Sequence, residues 1–413
     1  MNICIHRGTH EIGGTCIEIE LDGKRIVLDV GLPLDDSNRD LVLPPVKGFD
    51  KPDTSLLGVV ISHPHQDHYG LARVLPEETM FLIGEAACNI LSAAEVFTPG
   101  GITLKNVIYL SDRQPIKLGP FTITPYLVDH SAYDAYAILI EGGGKRIFYT
   151  GDLRGHGRKS NLFDRLLQDP PKNVNAMLME GTTIGRTDTD KGFPSEDDIE
   201  AEMVKIFVHI TGMPLVCCSG QNIDRLVTVF RACKKAERMF IVDMYTAHIL
   251  HAIGNKHLPQ AEWPEIRVFL PYFQKRRIIR QNDFDIANQY KAHRIYPERL
   301  AGIAMNAVML FRPSMTEDLE RAGCLDGACL VYSMWDGYLR KDDHIKFLAW
   351  LEGKGIPLIK CHTSGHASQK DLKRLREAFS GAKLIPVHTD DPSAVRSLFA
   401  DVLEVSDGIT FTI

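Results

Sequence analysis

The sequence predicts an α/β protein in which one domain is inserted into another. A chain of 413 residues is longer than one simple core usually needs, which indicates two domains. Short strands and hairpins fill residues 1–194, whereas helices and strands alternate over residues 195–350, a pattern typical of a parallel sheet. Candidate metal ligands at strand ends occur before this stretch and resume after it. We therefore predict one domain from residues 1–194 and 351–413, interrupted by an α/β domain at residues 195–350.

The chain begins with a predicted β-hairpin that ends in a carboxylate. Apolar and polar residues alternate over residues 16–21 and 25–29, on either side of Asp22-Gly23. This dipeptide is typical of tight hairpin turns. Asp29 closes the second strand. An aspartate at this point either caps a turn or orients a ligand histidine by accepting its free ring N–H.

The next motif is dense in metal-ligating side chains. Residues 62–68 read Ser-His-Pro-His-Gln-Asp-His and follow an apolar run at residues 56–61 that predicts a buried strand. Imidazole and carboxylate groups are poor core residues, but they are the ligands that zinc, iron and manganese bind. The H-x-H-x-D-H spacing therefore predicts a metal site.

The spacing within this motif predicts two metals. His63 and His65 point the same way, because alternate residues of an extended chain share a face. Asp67 and His68 are adjacent, open a helix predicted over residues 68–75, and face a different point. This division suits two metals about 3.5–4 Å apart.

Two more candidate ligands follow predicted strands further along the chain. His130 comes after the strand at residues 121–128, and Asp152 comes after the hairpin strand at residues 146–150. Ligands at successive strand ends are what a metal site at a sheet edge requires. His130 would complete the set begun by the first two histidines of the motif, and the two oxygens of Asp152 could bridge both metals.

Further candidates follow the inserted domain. Residues 361–367 read Cys-His-Thr-Ser-Gly-His-Ala and precede an amphipathic helix predicted at residues 370–379. A strand at residues 383–387 then ends at His388. Two hairpin-like strands are predicted over residues 405–413.

Composition is that of an ordinary globular protein. The chain is 44% hydrophobic and 24% charged, and its longest apolar runs fall short of the ~18 residues of a membrane span. Its start lacks the apolar segment of a signal peptide. Nine cysteines without a CxxC pair are typical of reduced core residues. We therefore expect a cytoplasmic protein with no membrane partner.

The charge distribution, unlike the net charge, is compatible with a nucleic-acid partner. The whole chain carries −6, whereas residues 221–300 contain 14 Lys and Arg against 8 Asp and Glu, a local charge of +6. Tyr272-Phe273 precedes a run of cations, and aromatic plus basic residues suit single strands. The candidate contacts are Arg225, Lys275, Arg276, Arg277 and Arg280. A solvated helix face explains these residues equally well.

The chain resembles the β-CASP branch of the metallo-β-lactamase superfamily, and within it ribonuclease J-like enzymes, over essentially its whole length. The H-x-H-x-D-H motif carries the resemblance, because it is the signature of that superfamily. The resemblance implies an αββα metallo-β-lactamase sandwich with an inserted β-CASP α/β domain. The other matching positions are Asp29, His130 and Asp152 in the first, third and fourth motifs, Glu180 in motif A, residues 364–367 in motif B, residues 386–388 in motif C, and residues 219–225 in the insert.

The resemblance also implies a set of roles. Two zinc ions are expected, and Mn²⁺ is an alternative because a His and Asp set accepts either metal. The implied ligands are His63, His65 and His130 for the first ion, Asp67, His68 and His388 for the second, and Asp152 between them. The implied catalytic residues are Asp67, His366 and Glu180, with Asp29 orienting a ligand from outside. The implied phosphate or RNA contacts are Ser364, His366, Ser219 and Arg225, although Ser364 could equally cap a turn or a helix.

Three features depart from the ribonuclease J-like pattern. Glu180 is followed by Gly181 where the family usually has serine, and His388 is followed by Thr389-Asp390 where it usually has Gly-Glu. The sequence also stops before the extra C-terminal domain of the larger members. The resemblance therefore leaves open whether this chain forms a homodimer as they do.

Four classes of function compete. A ribonuclease acting on single-stranded RNA, by exo- or endonucleolytic cleavage, is favoured because RNA-acting members carry histidine at the position of His388 whereas DNA-acting ones carry valine. A hydrolase of a small ester, lactam or thioester would need neither the motif around His366 nor a basic insert. A DNA nuclease is opposed only by His388. A non-catalytic scaffold would show degenerate ligands, and every ligand position is intact.

Overall fold

The computed structural model describes residues 1–34, 41–186, 191–340 and 342–413, without the side chains of residues 342 and 343. Contacts divide the chain into two units. Unit 1 comprises Met1–Ser92, Ile102–Phe193 and Gly365–Ile413, and unit 2 comprises Ala93–Gly101 and Pro194–Ser364.

Unit 1 is built on two mixed sheets. The first sheet contains β1 (Asn2–Arg7), β2 (Cys16–Leu21), β3 (Lys24–Leu28), β4 (Leu56–Val60), β5 (Met80–Gly84), β6 (Asn106–Leu110) and β20 (Thr410–Thr412), in the order β20-β1-β2-β3-β4-β5-β6. The second sheet contains β7 (Ile116–Leu118), β8 (Phe121–Leu127), β9 (Tyr136–Gly142), β10 (Lys145–Tyr149), β11 (Ala176–Glu180) and β19 (Lys383–Val387), in the order β19-β11-β10-β9-β8-β7.

Helices cover the outer faces of this pair of sheets. They are α1 (Gln66–Tyr69), α2 (Glu85–Glu95), α3 (Ser160–Gln168), α12 (Gln369–Ala378) and α13 (Pro392–Leu398). Alternate residues of each strand face inward, so Ile5 and Ile19 of one sheet meet Ile138 of the other in a shared core. Leu91 of α2 packs outside the first sheet, and Phe163 of α3 packs outside the second. The layers are thus α, β, β and α, which confirms the predicted fold class.

Unit 2 contains a parallel sheet with helices packed against it. Its strands are β12 (Pro214–Cys217), β13 (Met239–Asp243), β14 (Ile266–Phe269), β15 (Arg294–Ile295), β16 (Ala307–Leu310), β17 (Cys329–Tyr332) and β18 (Leu358–Lys360), in the order β15-β14-β13-β16-β12-β17-β18. Its helices are α4 (Glu196–His209), α5 (Ile223–Lys235), α6 (Met244–Ala252), α7 (Tyr272–Gln281), α8 (Phe284–Gln289), α9 (Pro297–Ile303), α10 (Thr316–Ala322) and α11 (Asp342–Gly353). Every strand pairing in the sheet is parallel, as the alternation of helix and strand predicts.

Three elements differ from the sequence prediction. α1 ends at Tyr69 instead of reaching residue 75, and a separate 3₁₀ turn follows at Ala72–Val74. The C-terminal hairpin is wrong, because in residues 405–413 only β20 is a strand, and β20 pairs with β1. Unit 2 runs to Ser364 instead of residue 350, because β18 is hydrogen-bonded to β17 in the parallel sheet.

Candidate metal centre

Three histidines of unit 1, of which His63 and His130 are buried and His65 is half-buried, converge at the ends of β4 and β8. Nδ1 of His65 lies 3.2 Å from Nε2 of His63 and 3.2 Å from Nε2 of His130. Burial lowers the pKa of all three rings, that of His65 to about 4. The imidazoles are therefore neutral near pH 7, and each has a ring nitrogen lone pair to offer a cation.

A second group lies beside the first. Asp67, His68, Asp152 and His388 place one ligand atom each within 4.8 Å of one another. Nε2 of His388 lies 3.3 Å from Oδ2 of Asp67, and Nε2 of His68 lies 3.2 Å from Oδ2 of Asp152. These residues come from α1 and from the loops after β10 and β19, so strand ends distant in sequence meet at one edge.

Asp152 joins the two groups. Its Oδ2 lies 3.7 Å from Nε2 of His63 as well as 3.2 Å from Nε2 of His68. Burial opposes its charge, but the neighbouring rings of His388 and His68 outweigh burial and hold the pKa of the carboxyl well below its ordinary value. Asp152 is therefore a buried carboxylate between two sets of imidazoles.

The donor atoms of this site fit a pair of divalent cations. Among the described residues, neither carboxylate oxygen of Asp152 makes a hydrogen bond of normal geometry, and neither does Nε2 of His68, although this nitrogen lies 3.2 Å from Oδ2 of Asp152. Buried polar atoms left in this state cost several kcal/mol unless something else satisfies them. A cation between them would do so, and mixed imidazole and carboxylate sets suit zinc or manganese.

A layer of hydrogen bonds fixes the orientation of His68. Oδ2 of Asp29 accepts the Nδ1–H of His68 at 2.8 Å and the hydroxyl of Tyr149 at 2.6 Å. Oδ1 of Asp29 accepts the backbone N–H of Ser62 at 2.7 Å. With Nδ1 donating to Asp29, Nε2 of His68 is the ring nitrogen that faces Asp152. Asp29 thus has the orienting position that the resemblance implies.

A threonine orients His388 in a similar way. Oγ1 of Thr182 is hydrogen-bonded to Nδ1 of His388 at 2.9 Å, which turns Nε2 toward Asp67. Sequence analysis assigned no role to Thr182, Tyr149 or Ser62. Thr182 lies two residues after Glu180 in motif A and Ser62 directly precedes His63, so position could have indicated both. Tyr149 looks like any inward-facing core residue of β10.

His366 and Glu180 form a pair at the edge of the site. Oε2 of Glu180 lies 3.0 Å from Nδ1 of His366, and its Oε1 accepts the backbone N–H of Leu153 at 2.9 Å. Burial lowers the pKa of His366, but Glu180 and then Asp152 outweigh burial and raise it to about 9. The imidazole is therefore protonated at neutral pH, and its side chain is 24% exposed, so a substrate can reach it.

The remaining candidates belong to unit 2. They are Ser364, Ser219, Arg225, Lys275, Arg276, Arg277 and Arg280. Arg225 is buried, and its guanidinium donates to Glu196 at 2.9 and 3.1 Å and also to Ser333. A guanidinium used in this way is not offered to a phosphate, so Arg225 is removed from the RNA contacts. The four cations of residues 275–280 lie on α7.

Sequence and structure comparisons agree with this geometry. A model of the beta-lactamase superfamily domain matches residues 24–196. A protein of unknown function from Enterococcus faecalis V583 has a similar structure, with a TM-score of 0.80 and 20% identity over 100% of this chain and 99% of that one. The matched region contains the candidate ligands from His63 to Asp152, so the similarity to the beta-lactamase superfamily domain includes most of the site.

Two curated proteins are similar to this chain over most of its length. Ribonuclease J of Helicobacter pylori (strain ATCC 700392 / 26695) is 22% identical over 394 residues, which cover 92% of this chain and 55% of the relative. Ribonuclease J of Synechocystis sp. (strain ATCC 27184 / PCC 6803 / Kazusa) is 21% identical over 94% of this chain and 60% of that one. The chain is thus ribonuclease J-like in sequence, and it spans a little over half the length of these curated relatives.

The match to the beta-lactamase superfamily domain implies divalent metal binding, and the two His and Asp groups are where it would occur. Within the described ranges, the helices lack the combined length and apolar character needed to cross a membrane.

Proposed function

We propose that this protein is a two-metal-dependent phosphodiesterase that cleaves single-stranded RNA, by exo- or endonucleolytic attack. One observation carries the proposal: seven potential ligands, spread from residue 63 to residue 388, converge on one site, with His366 beside Asp152 at its rim. The named activity of the ribonuclease J relatives supports RNA as the substrate. The histidine at position 388 supports it too, through the resemblance noted above.

The proposed ligands follow the two groups. His63, His65 and His130 would hold one cation, Asp67, His68 and His388 would hold the other, and Asp152 would bridge them. We propose zinc, with Mn²⁺ as an acceptable substitute. When bound, such cations supply Lewis acidity, which lowers the pKa of water to roughly 7 and stabilises negative charge on phosphate oxygens.

His366 is the proposed proton donor to the leaving oxygen. Its pKa of about 9 keeps the ring charged at neutral pH, and the hydrogen bond from Nδ1 to Glu180 directs Nε2 away from the carboxylate. A positioned proton donor typically contributes ~10²–10⁴-fold to the rate. Glu180 accepts the Nδ1–H of His366 and so fixes the ring. The negative charge of Asp67 also favours the protonated ring. Ser364 and Ser219 are proposed phosphate contacts.

The test is cleavage of 5′-labelled single-stranded RNA, and of DNA of the same sequence, by the metal-loaded protein. His366→Gln should lower the RNA cleavage rate by ~10²–10⁴-fold while leaving the bound metal in place. Asp67→Ala/His68→Ala should abolish cleavage and lower the metal content. His6→Gln is the matched control, because His6 also pairs with a glutamate (Glu18, 2.8 Å) but lies outside the site.

Three outcomes would contradict the proposal. Equal cleavage by the double variant would show a contaminating nuclease. Cleavage of DNA but not RNA would make the protein a DNA nuclease. Hydrolysis of small esters, lactams or thioesters without cleavage of either nucleic acid would move the function to a small substrate.

A further inference from the structure

Helix α7 of unit 2 presents cations and aromatic rings together on its exposed side. Tyr272 and Phe273 in its first turn are 56% and 51% exposed. Lys275, Arg276 and Arg280 follow on the outside, and the helix from Tyr272 to Gln281 contains four cations and no acidic residue. We name Tyr272, Phe273, Lys275, Arg276 and Arg280 the α7 surface.

Two arginines of α7 sit over the exposed rings. The guanidinium of Arg276 lies 5.9 Å from the ring centre of Tyr272, and that of Arg277 lies 5.6 Å from the ring centre of Phe273. Each pair is four residues apart, so the helix itself aligns ring and cation. The result is flat aromatic faces next to positive charge, which is the combination that binds bases by stacking and phosphates by charge.

The buried side of α7 holds this arrangement in place. Gln274 donates to Oδ2 of Asp243 at 2.6 Å and accepts the backbone N–H of Tyr245 at 3.1 Å. Ile278 is buried beneath the helix. A helix fixed in this way loses little entropy on binding, so its rings and cations are already organised for a ligand.

We propose that the α7 surface binds single-stranded RNA. The inference rests on the proposed function for the identity of the strand, and it adds a binding surface in unit 2. Charge favours a polyanion as the ligand, because this helix carries a charge of +4 whereas the whole chain carries −6. Ile279 is exposed as well as Tyr272 and Phe273, so an anionic lipid surface is the competing ligand that a vesicle-binding measurement tests.

The test measures binding without cleavage. All variants are made in a His366→Ala background, which blocks the proposed proton transfer while the metal ligands remain. Binding of the metal-loaded protein to a fluorescein-labelled single-stranded RNA is followed by anisotropy over a series of salt concentrations. Tyr272→Ala/Phe273→Ala should weaken binding by about tenfold per stacked base lost. Arg276→Ala/Arg280→Ala should weaken binding and flatten the slope of log K against log salt by about 1.4, since each phosphate on a single strand contributes about 0.7.

A matched control removes the same charge elsewhere in unit 2. Lys205 on α4 and Arg321 on α10 are exposed and lie in ion pairs with Glu202 and Glu317. Lys205→Ala/Arg321→Ala should leave the affinity within about twofold and the slope unchanged. The proposal is overturned if this control weakens RNA binding as much as the α7 variants do. It is also overturned if both α7 variants bind RNA normally. In that second case, a loss of binding to anionic vesicles or to a protein partner would assign the surface to that ligand instead.

A separate measurement distinguishes this inference from the proposed function. Hydrolysis of bis(p-nitrophenyl) phosphate, a phosphodiester far smaller than an RNA strand, is measured with His366 intact. Loss of RNA affinity in the α7 variants, without any such hydrolysis by the unmodified protein, would support the α7 surface as an RNA-binding site and contradict the proposed phosphodiesterase activity. Hydrolysis together with unchanged RNA affinity would do the reverse.

Discussion

Asp29 and His388 share an unusual backbone conformation at the metal centre. Their φ angles are 57° and 52°, in the left-handed region that favours glycine. A non-glycine residue there costs roughly 1–2 kcal/mol, so surrounding contacts must hold it. Asp29 is held by Ser62, His68 and Tyr149. The site therefore depends on residues that would not touch a metal.

Tyr149→Phe should weaken metal binding by roughly tenfold, because Asp29 loses one of the donors that fix its contact with His68. Metal affinity is measured by competition with a chromogenic chelator. Tyr136→Phe is the control, since Tyr136 is also a buried tyrosine of the second sheet but its hydroxyl lies 3.5 Å from the carbonyl of Leu110, away from the site. Equal loss in both variants would show a general packing effect instead.

His362 should make unit 2 sensitive to acid. Burial, and then the charge of Arg225, lower its pKa from 6.5 to about 4, although Glu196 and Asp336 act in the opposite direction. Because the folded pKa lies below the unfolded one, its contribution to stability is complete above pH 6.5 and is lost as the pH falls toward 4. The ring is partly exposed, so we expect a loss of about 2 kcal/mol over this interval.

His362→Asn should remove this loss, because asparagine can still accept from Arg225 but does not titrate. The free energy of unfolding in urea is compared at pH 7 and pH 4 for both proteins, which cancels the protonation of all other groups. Parallel pH profiles for the two proteins would show that His362 is not responsible.

At the scale of single residues, the sequence predicted the side chains that converge better than the side chains that support them. The convergence of His130 and Asp152 could be predicted because an imidazole or a carboxylate directly after an apolar strand is hard to explain by packing. Tyr149 could not, because its hydroxyl meets Asp29 only when β10 of the second sheet packs against the first. Arg225 was wrongly predicted as an RNA contact, because a charged residue in the first turn of a helix usually faces solvent. The partner that buries it, Glu196, lies in another helix.

Helix α4 begins with a capping box that should stabilise unit 2. Oγ of Ser195 accepts the backbone N–H of Asp198 at 3.1 Å, and Oδ2 of Asp198 accepts that of Ser195 at 2.8 Å. Ser195→Ala should therefore lower the free energy of unfolding by about 1 kcal/mol. Ser195→Thr keeps the hydroxyl and should retain most of the stability. Both are compared by urea denaturation, and an equal loss in the two variants would argue against the cap.

At the scale of elements, strong local periodicity was a reliable guide. The Asp22-Gly23 hairpin is confirmed, since β2 and β3 pair antiparallel around it. The C-terminal hairpin failed because Asp407-Gly408 is a turn signal as well, but β20 finds a better partner in β1 at the edge of the first sheet. The residue pattern indicates that a segment forms a strand. The strand with which it pairs depends on which sheet edge the rest of the chain leaves open.

At the scale of the whole molecule, the centre connects segments that are far apart in the sequence but all belong to unit 1. Motif residues 63–68, His130, Asp152 and His388 follow different strands of the two sheets. A cation pair bound to them crosslinks both sheets at one edge. Binding to the folded state alone stabilises that state by RT ln(1 + [L]/Kd), about 2.7 kcal/mol when the free metal is 100 times Kd.

Removing the metal should therefore loosen unit 1 and leave unit 2 unchanged. We expect a chelator to increase hydrogen exchange at amides in the loops after β4, β8, β10 and β19, where the ligands lie. Amides in β12, β13 and β16 of the unit 2 sheet should keep their protection, because their partners contain none of the ligands. Asp67→Ala/His68→Ala should show the same pattern without chelator, and the chelator should add little to it. Faster exchange in both units alike would mean that the cations support the entire chain and not one local edge of two sheets.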